Sequence, residues 1–326
     1  MWTYVLFVSL TVIADSDSSR VITTARDLYQ RSRGLDQLRY MLASQADCNH
    51  TTSRAAHRFS EPTAWTSTGL PAPADASQQP PSADHVADIR DFPYLASVQL
   101  YFNGSWYFVC GGSLVSRNKV LTAAHCILGV PRRSLFRVIV GSNFYYERPG
   151  DQIVDVIQAY LHPGFDITRL GGRRGLFAHD IAVLKLARPV PASATVRPVR
   201  LADPGTNIVG RTCSLAGYGI SSPNNSAPSR LQSAQLTVIS GRQCQQMVDS
   251  SSLVRERVFI RDLHVCTTDA GSVPCMGDSG SALVCDGKAF GVYSFGDTSC
   301  AAGGNLPRGF MSVQYYLPFL HRVMWL

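Results

Sequence analysis

The sequence predicts an all-β fold, either a barrel or a sandwich, for residues 86–326 of this 326-residue chain. Short runs rich in β-branched and aromatic residues, such as LASVQLYF, RVIVG and AFGVYSF, alternate with turns that contain Gly, Pro or Asn. No long helical periodicity lies between these runs, so helices alternating with parallel strands are disfavoured. Only the final segment, QYYLPFLHRVMWL, is predicted to be helical, and Pro318 makes its beginning irregular.

Composition and charge exclude several classes of protein. Hydrophobic residues make up 45% of the chain and charged residues 16%, which allows a large core and excludes wholesale disorder. After residue 14, no apolar run approaches the roughly 18–20 residues of a membrane-spanning helix. The net charge of +7 comes from scattered basic residues, so association with anionic surfaces stays open but nucleic-acid binding is not expected.

Residues 1–14, MWTYVLFVSLTVIA, have the features of a secretory signal peptide. The segment is apolar and ends in the small residue Ala14, directly before the polar stretch DSDSS. A buried core strand is the alternative, but the sharp polar break so close to the start favours the signal. Export also explains the nine cysteines, which an oxidising compartment can pair, and agrees with sequons at Asn49, Asn103 and Asn224. We therefore predict a secreted, disulfide-bonded glycoprotein.

Residues 15–85 differ from the rest of the chain and are predicted to be a pro-segment followed by a linker. Apolar residues recur among arginines at roughly helical spacing: Leu28, Leu35, Leu38 and Met41. Such a basic amphipathic helix either packs on its own domain, which we favour, or lies on a membrane or a partner. Residues 60–85 are rich in proline and poor in large apolar side chains, which indicates a linker.

The residue types needed for nucleophilic acyl transfer occur in three motifs: LTAAHC with His125, HDIAVLKL with Asp180, and CMGDSGSALVC with Ser279. A serine hydroxyl needs a base within hydrogen-bond reach, and an imidazole base needs a carboxylate that fixes its tautomer and stabilises its charged form. Glycines beside the serine allow a tight turn that exposes the hydroxyl and points backbone N–H groups at a developing oxyanion. Each motif alone is weak, but together they supply what this chemistry requires.

In these motifs, and in CGGSLVS, CSLAGYG and LPRGF, residues 86–326 resemble the trypsin/chymotrypsin-like serine proteases. The resemblance implies two six-stranded antiparallel β-barrels of chymotrypsin type with a C-terminal helix, and an active site between the barrels. It implies a serine endopeptidase in which His125 is the general base and then acid, Asp180 orients it, and Ser279 is the nucleophile. The backbone N–H groups of Gly277 and Ser279 would form the oxyanion hole, and no cofactor is implied.

The family pattern also implies a set of disulfides: Cys110–Cys126, Cys213–Cys285, Cys244–Cys266 and Cys275–Cys300. The remaining cysteine, Cys48, lies in the predicted pro-segment. Some relatives tether such a cysteine to the barrel near the VRPVRL stretch, but Arg200 occupies the matching position here. Cys48 is therefore expected either to be a free thiol or to form an intermolecular disulfide with a partner chain.

The sequence departs from the family pattern in two places. Relatives are made as zymogens, and cleavage frees an N-terminus, beginning Ile-Val-Gly-Gly, that pairs with the aspartate before the serine, here Asp278. The corresponding segment, PSADHVA, has no preceding basic residue and no such terminus. An alternative therefore stays open, in which the chain is a catalytically silent homologue acting as a binding or regulatory module. The second departure, GDSGS in place of GDSGG, introduces Ser281, which is small and is interpreted as tolerated.

The resemblance assigns four residues to substrate binding: Val273, Ser294, Gly296 and Arg308. Val273 stands where trypsin-like relatives carry the aspartate that binds a substrate Lys or Arg, so trypsin-like specificity is not expected. Gly296 leaves the pocket mouth open for a large side chain. Among relatives, an arginine at the position of Arg308 accompanies a preference for aspartate before the scissile bond. The alternative, slightly favoured because Val273 is apolar, is that Arg308 extends to solvent and leaves a slot for aromatic residues or leucine.

No metal site is expected. The loop after Val140 begins with Gly141 and Ser142 and lacks the acidic residue of calcium-binding relatives. The histidines outside the catalytic set lack ligand spacing and are interpreted as solvated or structural: His85, His162, His179 and His264. The implied partners are protein or peptide substrates and protease inhibitors, with no nucleic acid and no transmembrane segment.

Overall fold

Strands dominate the computed structural model, which describes residues 85–102, 104–127, 135–165, 178–219, 230–250, 262–269, 277–296 and 306–326. The predicted signal peptide, the sequons, Cys48, Val273 and the Cys275–Cys300 pair lie outside these residues, as does nearly all of the predicted pro-segment and linker. The strands of the first half are β1 His85–Val86, β2 Leu95–Phe102, β3 Ser105–Ser116, β4 Lys119–Thr122, β5 Phe136–Val140, β6 Gln152–Leu161 and β7 Ala182–Leu186. Those of the second half are β8 Arg200–Leu201, β9 Thr212–Gly217, β10 Gln232–Ile239, β11 His264–Asp269, β12 Ala282–Cys285, β13 Lys288–Phe295 and β14 Arg308–Ser312.

Six strands of the first half close into an antiparallel barrel in the order β2, β3, β4, β7, β6, β5. β5 returns to β2, and Val98 of β2 lies opposite Val138 of β5. Alternate side chains point inward, as β6 illustrates: Val154 and Val156 are buried, whereas Asp155 between them is exposed. The interior of this first barrel is therefore filled by the β-branched residues that predicted the strands.

The second barrel follows the order β9, β10, β11, β14, β13, β12, and β12 returns to β9. β10 shows the same alternation, with Ala234, Leu236 and Val238 buried and Gln235 exposed. β8 adds in parallel to β13, and β1 adds to β10, where His85 pairs with Ser233. The expected pair of six-stranded antiparallel barrels is confirmed.

One helix was not expected from the sequence. Helix α1, Gly241–Ser250, is short and polar and buries only Cys244 and Val248, so its apolar pattern is too sparse to stand out. A capping box begins it, because the backbone N–H of Gln243 donates to Oγ of Ser240 and the Gln243 side chain accepts from the Ser240 backbone. That motif was the available signal in the sequence.

The C-terminal helix α2, Leu317–Met324, was expected and links the two barrels. Pro318 lies in its first turn, where a missing N–H costs nothing. The helix follows β14 of the second barrel but packs on the first, since Nζ of Lys119 in β4 donates to the Val323 carbonyl over 3.2 Å. No helix within the described ranges is long and apolar enough to cross a membrane.

Three of the expected disulfides are present: Cys110–Cys126, Cys213–Cys285 and Cys244–Cys266. The first joins β3 to the segment after β4, the second joins β9 to β12, and the third joins α1 to β11. The first disulfide thus fixes one wall of the site described next.

Candidate active site

His125 lies on a short 3₁₀ helix, Ala124–Ile127, that leaves the first barrel after β4. Ala124, Cys126 and Ile127 are buried, so the turn is anchored on both sides of the histidine. The Cys110–Cys126 disulfide ties the same turn to β3. A half-buried imidazole is thereby held at the edge of the first barrel.

Asp180 occupies a tight turn just before β7. The backbone N–H of Ile181 donates to the carbonyl of His179 over 2.8 Å, and the φ angle of His179 is +61°. This left-handed conformation is uncommon for a residue other than glycine. Asp180 itself is fully buried, at 0% exposure.

The Asp180 carboxylate is satisfied by three hydrogen bonds. Oδ1 accepts from the backbone N–H of His125 over 2.8 Å, and Oδ2 lies 2.7 Å from Nδ1 of the same residue. Oδ2 also accepts from the hydroxyl of Ser294, on β13 of the second barrel, over 2.6 Å. The contact with Nδ1 places the proton on that nitrogen and leaves Nε2 as the basic nitrogen of the ring.

The charge balance of this pair favours an imidazole of raised basicity. Burial lowers the pKa of His125, but the negative charge of Asp180 and its hydrogen bond to the ring outweigh burial. The net result is a pKa above the ordinary value of 6.5. His125 is thus suited to accept a proton from a neighbouring hydroxyl.

Ser279 lies in a glycine turn before β12. Gly277 and Gly280 have φ angles of +98° and +86°, a region that other residues rarely adopt. A Cβ on Gly280 would approach Oγ1 of Thr122 to 2.2 Å, so the turn lies directly against the segment that leads to His125. Sγ of Cys126 is also 3.9 Å from the Ser279 carbonyl oxygen. The serine turn of the second barrel therefore meets the histidine turn of the first.

Asp278, which precedes the serine, is buried against Gly217 and Gly219. Its Oδ1 accepts a hydrogen bond of 2.9 Å from the backbone N–H of Gly219, and the residue is only 7% exposed. A Cβ on Gly217 would lie 2.0 Å from this oxygen, so glycine is required there. The predicted pairing of Asp278 with a new N-terminus is not tested by these contacts.

Ser281 occupies a tight site between glycines. It is fully buried, and a Cβ on Gly111 would come within 2.1 Å of its Oγ. This hydroxyl finds no hydrogen-bond partner within the described part of the chain. The serine fits in place of a glycine, at the cost of one unsatisfied hydroxyl.

Arg308 is buried, at 1% exposure, so the alternative in which it extends to solvent is wrong. It lies on β14 opposite Thr267 of β11, and a Cβ on Gly296 would be 3.2 Å from its Nη1. The same Cβ would be 2.5 Å from the hydroxyl of Tyr293. Gly296 was expected to leave the mouth of the pocket open. The guanidinium of Arg308 occupies this space instead.

Ser294 was assigned to substrate binding, and that assignment stays a prediction. In the structure its hydroxyl binds Asp180. This role was missed because nothing in the local sequence SFG indicates a partner on the opposite barrel. Ser294, Gly296 and Arg308 do lie on neighbouring strands or at their ends, since Phe295 of β13 pairs with Gly309 of β14.

The side chains of one histidine and two cysteines lie as close together as the ligands of a metal ion would. The ligand atoms of His125, Cys110 and Cys126 lie within 4.8 Å of one another. The two sulfurs are bonded to each other and are therefore unavailable as thiolate ligands. The group supplies packing beside His125 rather than a cation site.

Two closed barrels that bring a histidine–aspartate pair against a glycine-flanked serine have the architecture of a serine hydrolase. The family model Trypsin matches residues 83–320, and the chain belongs to this family of serine endopeptidases.

Individual relatives agree with this assignment. Mouse (Mus musculus) granzyme E is 32% identical over 246 residues, which cover 74% of this chain and 89% of the relative. Rat (Rattus norvegicus) granzyme-like protein 2 is 31% identical over 235 residues, covering 71% of this chain and 85% of the relative. The solved structure of neuropsin, a serine protease of mouse brain, matches with a TM-score of 0.62 and 27% identity, covering 74% of this chain and 98% of that one.

Proposed function

We propose that the chain is a secreted endopeptidase that cleaves peptide bonds through an acyl-enzyme on Ser279. The hydroxyl oxygen of Ser279 attacks the scissile carbonyl carbon while Nε2 of His125 accepts its proton. His125 then gives this proton to the leaving amine, and water hydrolyses the ester by the same steps. The observation that carries the proposal is the 2.7 Å contact between Nδ1 of His125 and Asp180, held against the serine turn.

Asp180 supports both proton transfers. Its buried charge stabilises the imidazolium that forms in the transition state, and its contact with Nδ1 keeps Nε2 directed away from the carboxylate. The hydroxyl of Ser294 fixes the orientation of the carboxylate from the other barrel.

The oxyanion of the tetrahedral intermediate is assigned to the backbone N–H groups of Gly277 and Ser279. The φ angle of +98° at Gly277 supports this, because such a turn can direct successive N–H groups to one side. The bond from Gly219 to Asp278 holds the residue between them. Zymogen activation, in which a new N-terminus pairs with Asp278, belongs to the same proposal.

For specificity, we propose that an acidic side chain precedes the scissile bond. The buried guanidinium of Arg308 beside Gly296 supports a carboxylate partner, because a charge taken out of water gains most from a charge-assisted hydrogen bond. A large apolar residue would meet this cation instead of an empty slot. Val273 at the predicted pocket base is consistent with the absence of trypsin-like preference.

Secretion, glycosylation and an intermolecular disulfide through Cys48 complete the proposal. The three disulfides of the barrels support an oxidising compartment. Protein substrates and protease inhibitors are the corresponding partners.

The decisive experiment is covalent labelling of processed protein with a fluorophosphonate. Ser279→Ala abolishes labelling if Ser279 is the nucleophile, whereas Ser281→Ala, which removes a buried hydroxyl without a described partner, retains it. If the Ser279→Ala variant is still labelled, the assignment of Ser279 as the nucleophile is wrong. Correctly processed wild-type protein that stays unlabelled supports the other candidate, a silent homologue acting as a binding module.

A further inference from the structure

A cluster of two histidines and one tyrosine, His162, His179 and Tyr316, lies behind Asp180. The two imidazoles stack with ring centroids 4.6 Å apart and an angle of 11° between their planes. The Tyr316 hydroxyl is 3.1 Å from Nδ1 of His179, and its ring meets His162 edge-on at 5.1 Å. Tyr316 is only 1% exposed. We call these three residues the histidine cluster.

The histidine cluster is connected to both ends of the Asp180 turn. His179 immediately precedes Asp180, and its carbonyl accepts the N–H of Ile181 that closes the turn. The carbonyl of Ile181 in turn accepts the backbone N–H of His162 over 3.0 Å. His179 has a left-handed φ of +61°, a conformation that persists only when the surrounding structure holds it, and the contacts of its ring are part of that structure.

The stacked arrangement requires a neutral His162. Its Nδ1 accepts the backbone N–H of Gly164 over 3.1 Å, which is possible only when Nδ1 carries no proton. Protonation would turn this contact into two opposed donors. It would also place a positive charge against the facing ring of His179.

The charges around His162 also favour its neutral form. Burial, then the charge of His179 and that of Arg322 on α2, lower the pKa of His162 to about 4. Burial raises the pKa of Tyr316, a hydrogen bond from the His179 backbone lowers it, and the charges of Tyr315 and Asp180 raise it further, with a net increase. Tyr316 therefore keeps its proton and supplies a neutral hydroxyl to His179.

We propose that His162, His179 and Tyr316 are positioning residues that hold Asp180 for His125, and that protonation of His162 at acid pH releases the turn and lowers turnover. The inference rests on the proposed function, because it acts through Asp180. None of the three residues is assigned a contact with substrate. Their effect is expected on turnover and on its pH dependence, with little effect on substrate binding.

The first test separates positioning from packing. Tyr316→Phe keeps the ring and removes the hydroxyl, and we expect kcat to fall by about 2–10-fold, the value of one hydrogen bond, with KM unchanged. At His179, Asn tolerates the left-handed φ and can still bind Tyr316, so His179→Asn should retain more kcat than His179→Ala. Rates are normalised to active sites titrated with a phosphonate. If Tyr316→Phe lowers the melting temperature but leaves kcat unchanged, the inference is wrong.

The second test uses the pH dependence of kcat/KM. Below about pH 4, log kcat/KM of the wild-type enzyme should fall with a slope of two per pH unit, because His125 and His162 are both protonated. The variant His162→Phe can still stack but cannot titrate, so its slope should be one. His321→Phe is the matched control, since His321 is exposed on α2, and it should follow the wild type.

Failure of the inference is distinguishable from failure of the proposed function. Equal slopes in wild type and His162→Phe, with labelling that still requires Ser279, would refute the histidine cluster alone. Labelling that does not require Ser279 would refute the proposed function at every pH. A far-UV circular dichroism spectrum at the acid pH that matches the spectrum at neutral pH excludes unfolding as the cause of the lost activity.

Discussion

The hydroxyl of Ser294 donates a 2.6 Å hydrogen bond to Oδ2 of Asp180, the same oxygen that contacts Nδ1 of His125. Ser294 belongs to the second barrel and the other two residues to the first. The carboxylate is therefore fixed only when both barrels are in place. The site therefore depends on this bond between the barrels, as well as on the contact between the turn that carries His125 and the turn that carries Ser279.

Ser294→Ala tests that dependence. Removing a donor from a buried carboxylate should leave Asp180 less well oriented and lower kcat/KM by about 10–100-fold, equivalent to about 1.5–3 kcal/mol for a hydrogen bond to a charged group. The less satisfied carboxylate should also raise the pKa of His125 further. Ser312→Ala is the control, because this serine is buried in the same barrel but its hydroxyl accepts a hydrogen bond from the backbone N–H of Tyr315 instead of binding Asp180. Equal kinetics for the two variants would show that the bond to Asp180 is dispensable.

The pH profile of the wild-type enzyme should reflect the raised basicity of His125. Only the neutral imidazole can accept the proton of Ser279, so kcat/KM should increase as the pH rises through a pKa above 6.5. Asp180→Asn removes the charge that opposes burial, so the midpoint should move down and kcat should fall by about 10⁴-fold. Steady-state rates measured on both sides of neutrality check both statements. A wild-type midpoint below that of Asp180→Asn would contradict the assignment.

The local strand patterns predicted an all-β fold, and the resemblance carried by the motifs supplied the pair of barrels and the catalytic roles. Helix α1 was missed since its buried residues, Cys244 and Val248, are too few to form a stripe, although the Ser240–Gln243 capping box was present. The orientation of Arg308 was left open because burial of a long cation depends on neighbouring strands and not on its own segment.

The histidine cluster shows the same limit. His162 and His179 lie in different segments, and only the pairing of β6 with β7 brings those segments together. Local sequence therefore gave no sign that the two rings stack. The position of His179 directly before Asp180 was the one available indication.

A stability prediction concerns the attachment of helix α2. Lys119 is 2% exposed and donates from Nζ to the carbonyl of Val323 at the end of that helix, where a cation is favoured. Lys119→Met keeps the apolar stem and removes the donor, so the free energy of unfolding should fall by about 1–3 kcal/mol. Thermal unfolding measures this as a decrease of about 2–4 °C per kcal/mol.

Lys185 provides the matched control for Lys119. It lies opposite Lys119 in the paired strands β4 and β7 and donates to Leu326, but it is more exposed. Lys185→Met should cost less than about 1 kcal/mol, as expected for a solvent-screened contact. Equal melting temperatures for the two variants would mean that the buried bond does not secure the helix.

The last prediction concerns the buried guanidinium of Arg308 and the residue that precedes the scissile bond. A peptide library should show Asp or Glu at this position for the wild-type enzyme, because the buried guanidinium can form a charge-assisted hydrogen bond with a substrate carboxylate. Arg308→Gly removes the charge and opens space, and Arg308→Met removes the charge at similar volume. Both variants should shift the preference towards Phe, Tyr or Leu.

The size of the shift distinguishes a paired charge from a change of shape. A pocket that gains or loses a methylene discriminates by only about 10–200-fold, whereas one that leaves a buried hydrogen-bonding group unpaired discriminates by about 10⁴–10⁵-fold. The wild-type preference for Asp over its uncharged isostere Asn should therefore exceed about 200-fold. The variant Arg308→Lys should still prefer Asp, but less strongly, because an ammonium group cannot form the bidentate contact of a guanidinium. If the wild-type enzyme prefers Phe or Leu and Arg308→Met leaves that preference unchanged, the guanidinium takes no part in selecting the substrate, and its burial beside Gly296 serves only the packing of β14.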